Sequence, residues 1–138
     1  MRLPLKVLGY IYFVDENNEP KFLMLKRASD KGDFWQGVSG GLEEGETLKE
    51  GILREVQEET SLDNFEKVEL LDKFYQFDDE GLWKTDYVFA LKMKKKTEPN
   101  LSDEHSQYEW TSKERALKLL KFDTNKDALR EVYKLIVL

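Results

Sequence analysis

The stretch GGLEEGETLKEGILREVQEETSL, residues 40–62, decides the fold of this 138-residue chain. Ile52 and Val56 lie four residues apart within it, a spacing that predicts a helix with one buried face. Thr47 is the expected N-cap of this helix, and Glu50 three residues later completes a capping box. The glycines before the helix predict a flexible loop, whose free backbone amides would lie at the helix N-terminus, where anions bind.

Three carboxylates follow on the same helix. Glu55, Glu58 and Glu59 fall within an arc of about 100°, and we expect this arc to lie apart from the face of Ile52 and Val56. Charge runs are usually solvated surface. However, like charges at helical spacing cost a few tenths of a kcal/mol per pair, and a hard divalent cation such as Mg²⁺ or Mn²⁺ takes carboxylate ligands. The glycine segment next to the carboxylates favours the metal site.

Arg54 is the nearest cation to these carboxylates. Its spacing allows an ion pair with Glu58 or Glu50, four residues away on either side. Helical geometry is expected to point it away from Glu55. We therefore do not expect this arginine to neutralise the whole set.

The composition predicts one folded domain spanning residues 1–138, because 40% of residues are hydrophobic and 36% are charged. The chain contains no cysteine, which excludes disulfides and thiolate metal sites and fits a reducing compartment. We expect a cytoplasmic protein without a membrane partner, since no apolar run approaches the length of a membrane span. The net charge of −6 argues against a nucleic acid polymer as partner. Monomer and homodimer both remain open.

The periodicity along the chain predicts both strands and helices. The expected strands are 6–14, 21–27, a short one within 35–39, 65–77, 82–93 and 106–112. The expected helices begin at Thr47, at Lys113 and at Asp123 or Thr124, with the last one running to the end of the chain. This order predicts a mixed α/β (α+β) domain with helices packed on a sheet.

Residues 40–62 closely resemble the Nudix box, G-x5-E-x7-R-E-U-x-E-E-x-G-U, in which U is aliphatic. The matching positions are Gly40, Glu46, Arg54, Glu55, Val56, Glu58, Glu59 and Leu62. Ser61 stands where the motif has glycine, at the end of the helix, and we expect it to cost some stability in a left-handed cap. The resemblance to the Nudix (MutT-like) hydrolase family implies a mixed β-sheet sandwiched between α-helices. It also implies Mg²⁺- or Mn²⁺-dependent hydrolysis of a nucleoside diphosphate linked to another moiety.

The same resemblance implies roles for the residues of the box. Glu55 and Glu59 are the implied metal ligands, and Glu58 is a further or water-mediated ligand; Glu55 and Glu58 are also assigned to catalysis. The backbone carbonyl of Gly40 would complete the metal shell.

Two further residues of the box receive positioning roles by the resemblance. Arg54 would orient the carboxylates, and Glu46 would hold the loop against the helix. The later segment SDEHSQYEW resembles EH-x-x-Y-x-W of bacterial dihydroneopterin triphosphate pyrophosphatases and of diadenosine tetraphosphate hydrolases. Glu104 in this segment is the implied extra metal ligand or general base, and we expect His105 to be structural or to neighbour the substrate.

The segment before the box resembles the dihydroneopterin triphosphate and dATP pyrophosphohydrolase group. By that resemblance Arg27 and Ser39 contact substrate, Lys26 adds positive charge near the phosphates, and Trp35 either stacks on a base or belongs to the core. The expected substrate is a nucleoside or pterin triphosphate, cleaved to a monophosphate and pyrophosphate. Diadenosine tetraphosphate hydrolysis and a non-catalytic nucleotide-binding domain are the alternatives.

Overall fold

A computed structural model describes residues 2–137; Leu138, the expected end of the last helix, lies outside this range. The described chain forms seven strands and three α-helices. The strands are β1 (Arg2–Val14), β2 (Pro20–Arg27), β3 (Trp35–Gln36), β4 (Val38–Glu43), β5 (Phe65–Asp79), β6 (Leu82–Met93) and β7 (His105–Thr111). The helices are α1 (Leu48–Thr60), α2 (Lys113–Leu119) and α3 (Asp123–Val137), with a short 3₁₀ helix at Ser29–Lys31.

The strands form one mixed sheet with β1 at its centre. On one side β1 runs parallel to β6, which pairs with β5 in a long antiparallel hairpin. On the other side β1 pairs with β4 along its first half and with β2 only near its end. Strand β2 also pairs with β3, and its opposite edge pairs with β7. Strands β1 and β2 therefore diverge, and β3 and β4 lie at the mouth of the gap between them.

Helices cover both faces of this sheet. One core joins Ile52 and Val56 of α1 to Val7 and Ile11 of β1. The other joins α2 and α3 to the opposite face through Leu8, Tyr10, Ala116, Ala128, Leu129 and Val132. The prediction of a mixed sheet sandwiched between helices is confirmed. Within residues 2–137, no helix combines the length and apolar character that crossing a membrane requires.

The glycines before α1 differ from their prediction. Gly40 and Gly41 belong to β4, where they pair with Val7 and Lys6 of β1, so the segment is a strand rather than a flexible loop. Local glycine content predicted a loop, whereas pairing with a distant strand fixes the backbone. One glycine of the segment, Gly45, lies in the turn before α1 with φ 88°. The anion site expected at the helix N-terminus stays a prediction.

The two ends of α1 follow their predictions. Thr47 accepts a hydrogen bond from the backbone N–H of Glu50, whose side chain accepts from the Thr47 N–H, so the capping box is present. Ser61 ends the helix in the left-handed region, with φ 61° and ψ 16°. Its N–H donates to the carbonyl of Gln57. The serine therefore adopts the conformation for which the motif uses glycine.

Candidate active site

A cleft of about 460 Å³ opens where β1 and β2 diverge, and we call it the main cleft. Its wall combines three cationic side chains, two carboxylates, two glycines and three further side chains. The lining residues are Lys6, Arg27, Lys31, Glu55, Glu104, Gly40, Gly41, Phe34, Gln36 and Ser39. Cations beside carboxylates suit a polyphosphate bound together with a divalent metal ion.

Arg54 organises the acidic side of the main cleft. Its guanidinium donates through Nε and Nη2 to both oxygens of Glu46, at 2.6 and 3.0 Å, and through Nη2 to the carbonyl of Gly41 at 2.9 Å. Its Nη1 donates to Glu55 and Glu58, at 2.9 Å each. The expectation that it points away from Glu55 was wrong, because the long side chain brings Nη1 within hydrogen-bond distance of both Glu55 and Glu58. Through these contacts one guanidinium joins the carbonyl of Gly41 in β4 to two carboxylates of α1.

Gly40 lies directly against the carboxylate of Glu55. A Cβ at this position would overlap the carboxyl carbon and both oxygens of that side chain. Glu55 itself is only 6% exposed. Absence of a side chain at Gly40 therefore creates the space that the carboxylate occupies between β4 and α1.

Glu59 is the most deeply buried acid of the site, at 1% exposure. Neither of its oxygens accepts a hydrogen bond from the described chain. Burial, followed by the adjacent carboxylates of Glu55 and Glu104, raises the pKa of Glu59 well above its ordinary range, while Arg27 opposes the shift. Burying an acid without a hydrogen-bond donor lowers the stability of the fold. The nearby acids Glu55 and Glu104 add to this cost.

These side chains fit a hard divalent cation. Oxygen and nitrogen atoms of Glu59, Glu104 and His105 lie within 4.8 Å of one another, and Glu55 adjoins the group through its contact with Glu59. Carboxylates are the ligands that Mg²⁺ and Mn²⁺ prefer. A bound cation would supply the partner that the oxygens of Glu59 lack.

The structure divides the three predicted carboxylates of α1. The side chain of Glu58 is 52% exposed and binds Arg54, whereas Glu55 and Glu59 are buried. Glu59 follows Glu55 by four residues and so advances only about 40° around the helix, toward the buried side that carries Ile52. The expected separation of the acidic arc from the apolar face was therefore wrong for Glu59.

His105 lies behind the main cleft rather than on its wall. Its Nε2 is 3.1 Å from Nε2 of Gln36 and 3.7 Å from a carboxylate oxygen of Glu59. Burial, with a smaller contribution from Arg27, lowers the pKa of His105 to about 4, so the ring is neutral at pH 7. A neutral ring beside a protonated acid is a polar contact and not an ion pair.

The four predicted substrate residues separate into two pairs. Arg27 and Ser39 line the main cleft. Lys26 alternates with Arg27 to the other face of β2 and lies 3.6 Å from Asp33. Trp35 packs against the core beneath α2 and α3. The structure thus brings Arg27 and Ser39 to the site and leaves Lys26 and Trp35 outside its wall.

Five residues of the main cleft were absent from the sequence prediction: Lys6, Lys31, Phe34, Gln36 and Gly41. Phe34 and Gln36 flank Trp35, and the period of two in a strand would have placed them on one face. Lys6 is the charged residue of the apolar stretch 6–14, which was a usable signal. Lys31 reaches the cleft through the 3₁₀ helix, which the sequence did not reveal.

Comparisons with known proteins agree with this geometry. Residues 6–134 match the family model of the NUDIX domain. The dihydroneopterin triphosphate diphosphatase of Escherichia coli strain K12 is 31% identical over 140 residues, covering 93% of this chain and 91% of that protein. The protein of the same name from Haemophilus influenzae is 32% identical over 138 residues, covering 91% and 84%.

Solved structures give the same result. The structure of the E. coli dihydroneopterin triphosphate pyrophosphohydrolase matches with a TM-score of 0.82 at 28% identity, covering 96% of this chain and 97% of that chain. The sequence motif, the fold and these relatives converge on one family. The chain belongs to the Nudix family and is a Nudix hydrolase.

Proposed function

We propose that this protein is a Mg²⁺- or Mn²⁺-dependent pyrophosphohydrolase that cleaves a pterin or nucleoside triphosphate between its α and β phosphates. The products are the monophosphate and pyrophosphate. The observation that carries the proposal is the buried carboxylate of Glu59, which has no hydrogen-bond donor among the described residues and lies beside Glu55 and Glu104, at a cleft that Lys6, Arg27 and Lys31 also line.

Glu55, Glu59 and Glu104 would hold the metal, with the carbonyl of Gly40 as a further ligand and Glu58 as a water-mediated one. The bound ion supplies neutralisation of the phosphate charge and activation of water. Arg54 holds Glu55 and Glu58 in place through its Nη1. Glu46 links that guanidinium to β4, because it also accepts a hydrogen bond from the backbone N–H of Glu43 at the end of the strand.

Glu104 is also our candidate general base. It is exposed and lines the main cleft, so its carboxylate can accept a proton from an attacking water. His105, being buried and neutral, serves as a support for the cluster in this proposal.

The substrate is proposed to lie with its phosphates along Arg27, Lys31 and Lys6, whose side chains line the main cleft. Arg27 also donates through Nε to the carbonyl of Lys31 at 2.9 Å, which fixes the guanidinium beside the 3₁₀ helix. The relatives named dihydroneopterin triphosphate diphosphatase support a pterin triphosphate as the first substrate to test.

Two alternatives carry less support. Diadenosine tetraphosphate hydrolases usually carry a Pro-Lys-Gly-His sequence before the glycines. This chain has Phe34-Trp35-Gln36 there instead. A non-catalytic nucleotide-binding domain has no need to bury Glu59 against other acids, an arrangement that costs stability without a cation.

A substrate panel tests the proposal. Dihydroneopterin triphosphate, the deoxynucleoside triphosphates, dinucleoside polyphosphates and ADP-ribose are compared by kcat/KM with Mg²⁺, and the products are identified. We expect a triphosphate to rank first and to yield pyrophosphate. A dinucleoside polyphosphate ranking first, or no turnover of any compound, would overturn the proposal.

The role of Glu104 has a matched control in its neighbour Asp103, which is also exposed but is absent from the wall of the main cleft. Glu104→Gln should lower kcat by about 10²-fold or more, the usual contribution of a general base. Asp103→Asn should leave kcat near that of the wild type. Similar rates for the two variants would remove Glu104 from the mechanism.

A further inference from the structure

A second cavity of about 350 Å³ adjoins the main cleft, and we call it the aromatic cavity. The two share Lys6, Phe34, Gln36 and Ser39. Its remaining lining residues are Tyr75, Gln76, Phe77, Asp86, Phe122, Thr124 and Asn125. A volume of this order with aromatic walls suits a flat heterocycle, so a ligand with phosphates in the main cleft would place its ring system here.

Asp86 is the acidic residue that lines this cavity. It lies on β6 directly opposite Lys6 of β1. Its Oδ1 is sealed from solvent and accepts no hydrogen bond from the described residues. Buried polar atoms are normally satisfied, whereas the carboxyl group of Asp86, which lines a space of ligand size, has one oxygen for which the described residues supply no donor.

The charge state of Asp86 defines what it can bind. Burial raises the pKa of Asp86 to about 6, and Lys6 opposes the shift, so the carboxylate is mainly ionised above pH 7. An ionised carboxylate only accepts hydrogen bonds. The terminal torsion of aspartate is broad, so the group can turn to present both oxygens to adjacent donors.

We propose that Asp86 recognises a heterocycle whose edge carries a ring N–H beside an exocyclic amino group, the 2-amino-4-oxopyrimidine edge shared by pterins and guanine. The inference rests on the proposed function, because the phosphates of the ligand occupy the main cleft. Adenine presents a ring acceptor next to its amino group, which leaves one carboxylate oxygen opposed to a lone pair. Asp86 is thus a specificity-determining residue that selects pterin and guanine compounds over adenine compounds.

Asp86→Asn tests this assignment, because an asparagine amide offers one donor and one acceptor, the pair that matches adenine. The kcat/KM ratio of dGTP to dATP should fall at least tenfold in this variant, and the rate with dihydroneopterin triphosphate should fall with it. Asp79→Asn is the matched control. It removes the same charge from the same β5–β6 hairpin at an exposed residue paired with Lys84, outside the cavity, and should leave the ratio unchanged.

A binding measurement separates this inference from the proposed function. Calorimetric titration of the full chain with GMP and with AMP in EDTA needs neither metal nor hydrolysis. We expect wild-type protein to bind GMP at least tenfold more tightly than AMP, and Asp86→Asn to lose that preference. Equal affinities in the wild type, or an unchanged preference in the variant, overturn the assignment of Asp86 even if triphosphate hydrolysis is observed. A GMP preference that depends on Asp86 supports the assignment even if no triphosphate is hydrolysed.

Discussion

Replacing Glu59 with glutamine should stabilise the metal-free protein and abolish its stabilisation by Mg²⁺. The wild-type carboxyl is 1% exposed, accepts no hydrogen bond and adjoins Glu55. Its folded pKa is raised, so it is protonated at pH 7, whereas its ordinary pKa is 4.5. At 1.36 kcal/mol per pH unit, protonation over the 2.5 units from 4.5 to 7 costs about 3 kcal/mol of stability.

A glutamine removes this cost, and its amide can donate to the carboxylate of Glu55. We therefore expect an increase of about 2 to 3 kcal/mol in the free energy of unfolding in EDTA, or roughly 6 to 10 °C in Tm for a domain of this size. The sign follows from the raised pKa. The protonated Glu59 carboxyl costs no stability below pH 4.5, and its cost grows as the pH rises above that value. The difference in free energy of unfolding between Glu59→Gln and the wild type should therefore shrink as the pH falls toward 4.5.

Thermal unfolding in EDTA and in Mg²⁺ measures both effects. The wild type should gain stability with Mg²⁺, whereas Glu59→Gln should not respond. Glu58→Gln is the matched control. Its exposed pair with Arg54 contributes no more than about 1 kcal/mol, so its metal-free Tm should stay near that of the wild type. A Glu59→Gln protein that is less stable than wild type in EDTA, or that still responds to Mg²⁺, would show that Glu59 is not a destabilising buried acid that binds the metal.

Three further substitutions test other parts of the structure. Gly40→Ala should displace Glu55 and weaken Mg²⁺ affinity, measured by calorimetry, by about 10- to 100-fold. Gly9→Ala is the control, because its Cβ would lie 2.8 Å from apolar side chains. It should lower Tm but not metal affinity. Ser61→Gly should raise stability by about 0.5 to 1 kcal/mol in denaturant unfolding, because it relieves a left-handed φ of 61°; an unchanged or lower midpoint contradicts this. Asp86→Asn should be more stable than wild type by about 2 kcal/mol at pH 7.5 and by little at pH 4. The pKa of Asp86 is raised to about 6, so the wild-type carboxyl destabilises the fold only when it is ionised. A gain in stability that does not change with pH contradicts this.

The parts of the fold that local chemistry determines could be predicted from the sequence. Helix α1 and its capping box depend on apolar spacing and on Thr47 and Glu50, which are neighbours in the chain. The β5–β6 hairpin likewise follows from its strand and turn residues. By contrast, Gly40 and Gly41 become a strand only because β1, some thirty residues earlier, pairs with them.

The site shows the same division between local and distant information. The sequence predicted Glu55, Glu59 and a possible pair between Arg54 and Glu58, but neither the contact of Arg54 with Glu55 nor the burial of Glu59. The cationic wall joins Lys6 of β1 to residues of β2 and the 3₁₀ helix. That convergence depends on the divergence of β1 and β2, a tertiary feature that no local pattern of residues encodes.

The proposed reaction is metal-dependent cleavage between the α and β phosphates. Phosphorus NMR of dihydroneopterin triphosphate with the wild-type protein tests it most directly, with Mg²⁺ in one sample and EDTA in the other. We expect equal amounts of pyrophosphate and dihydroneopterin monophosphate in Mg²⁺, and no turnover in EDTA or with Glu59→Gln. Release of orthophosphate as the first product, or equal turnover in EDTA, would contradict it.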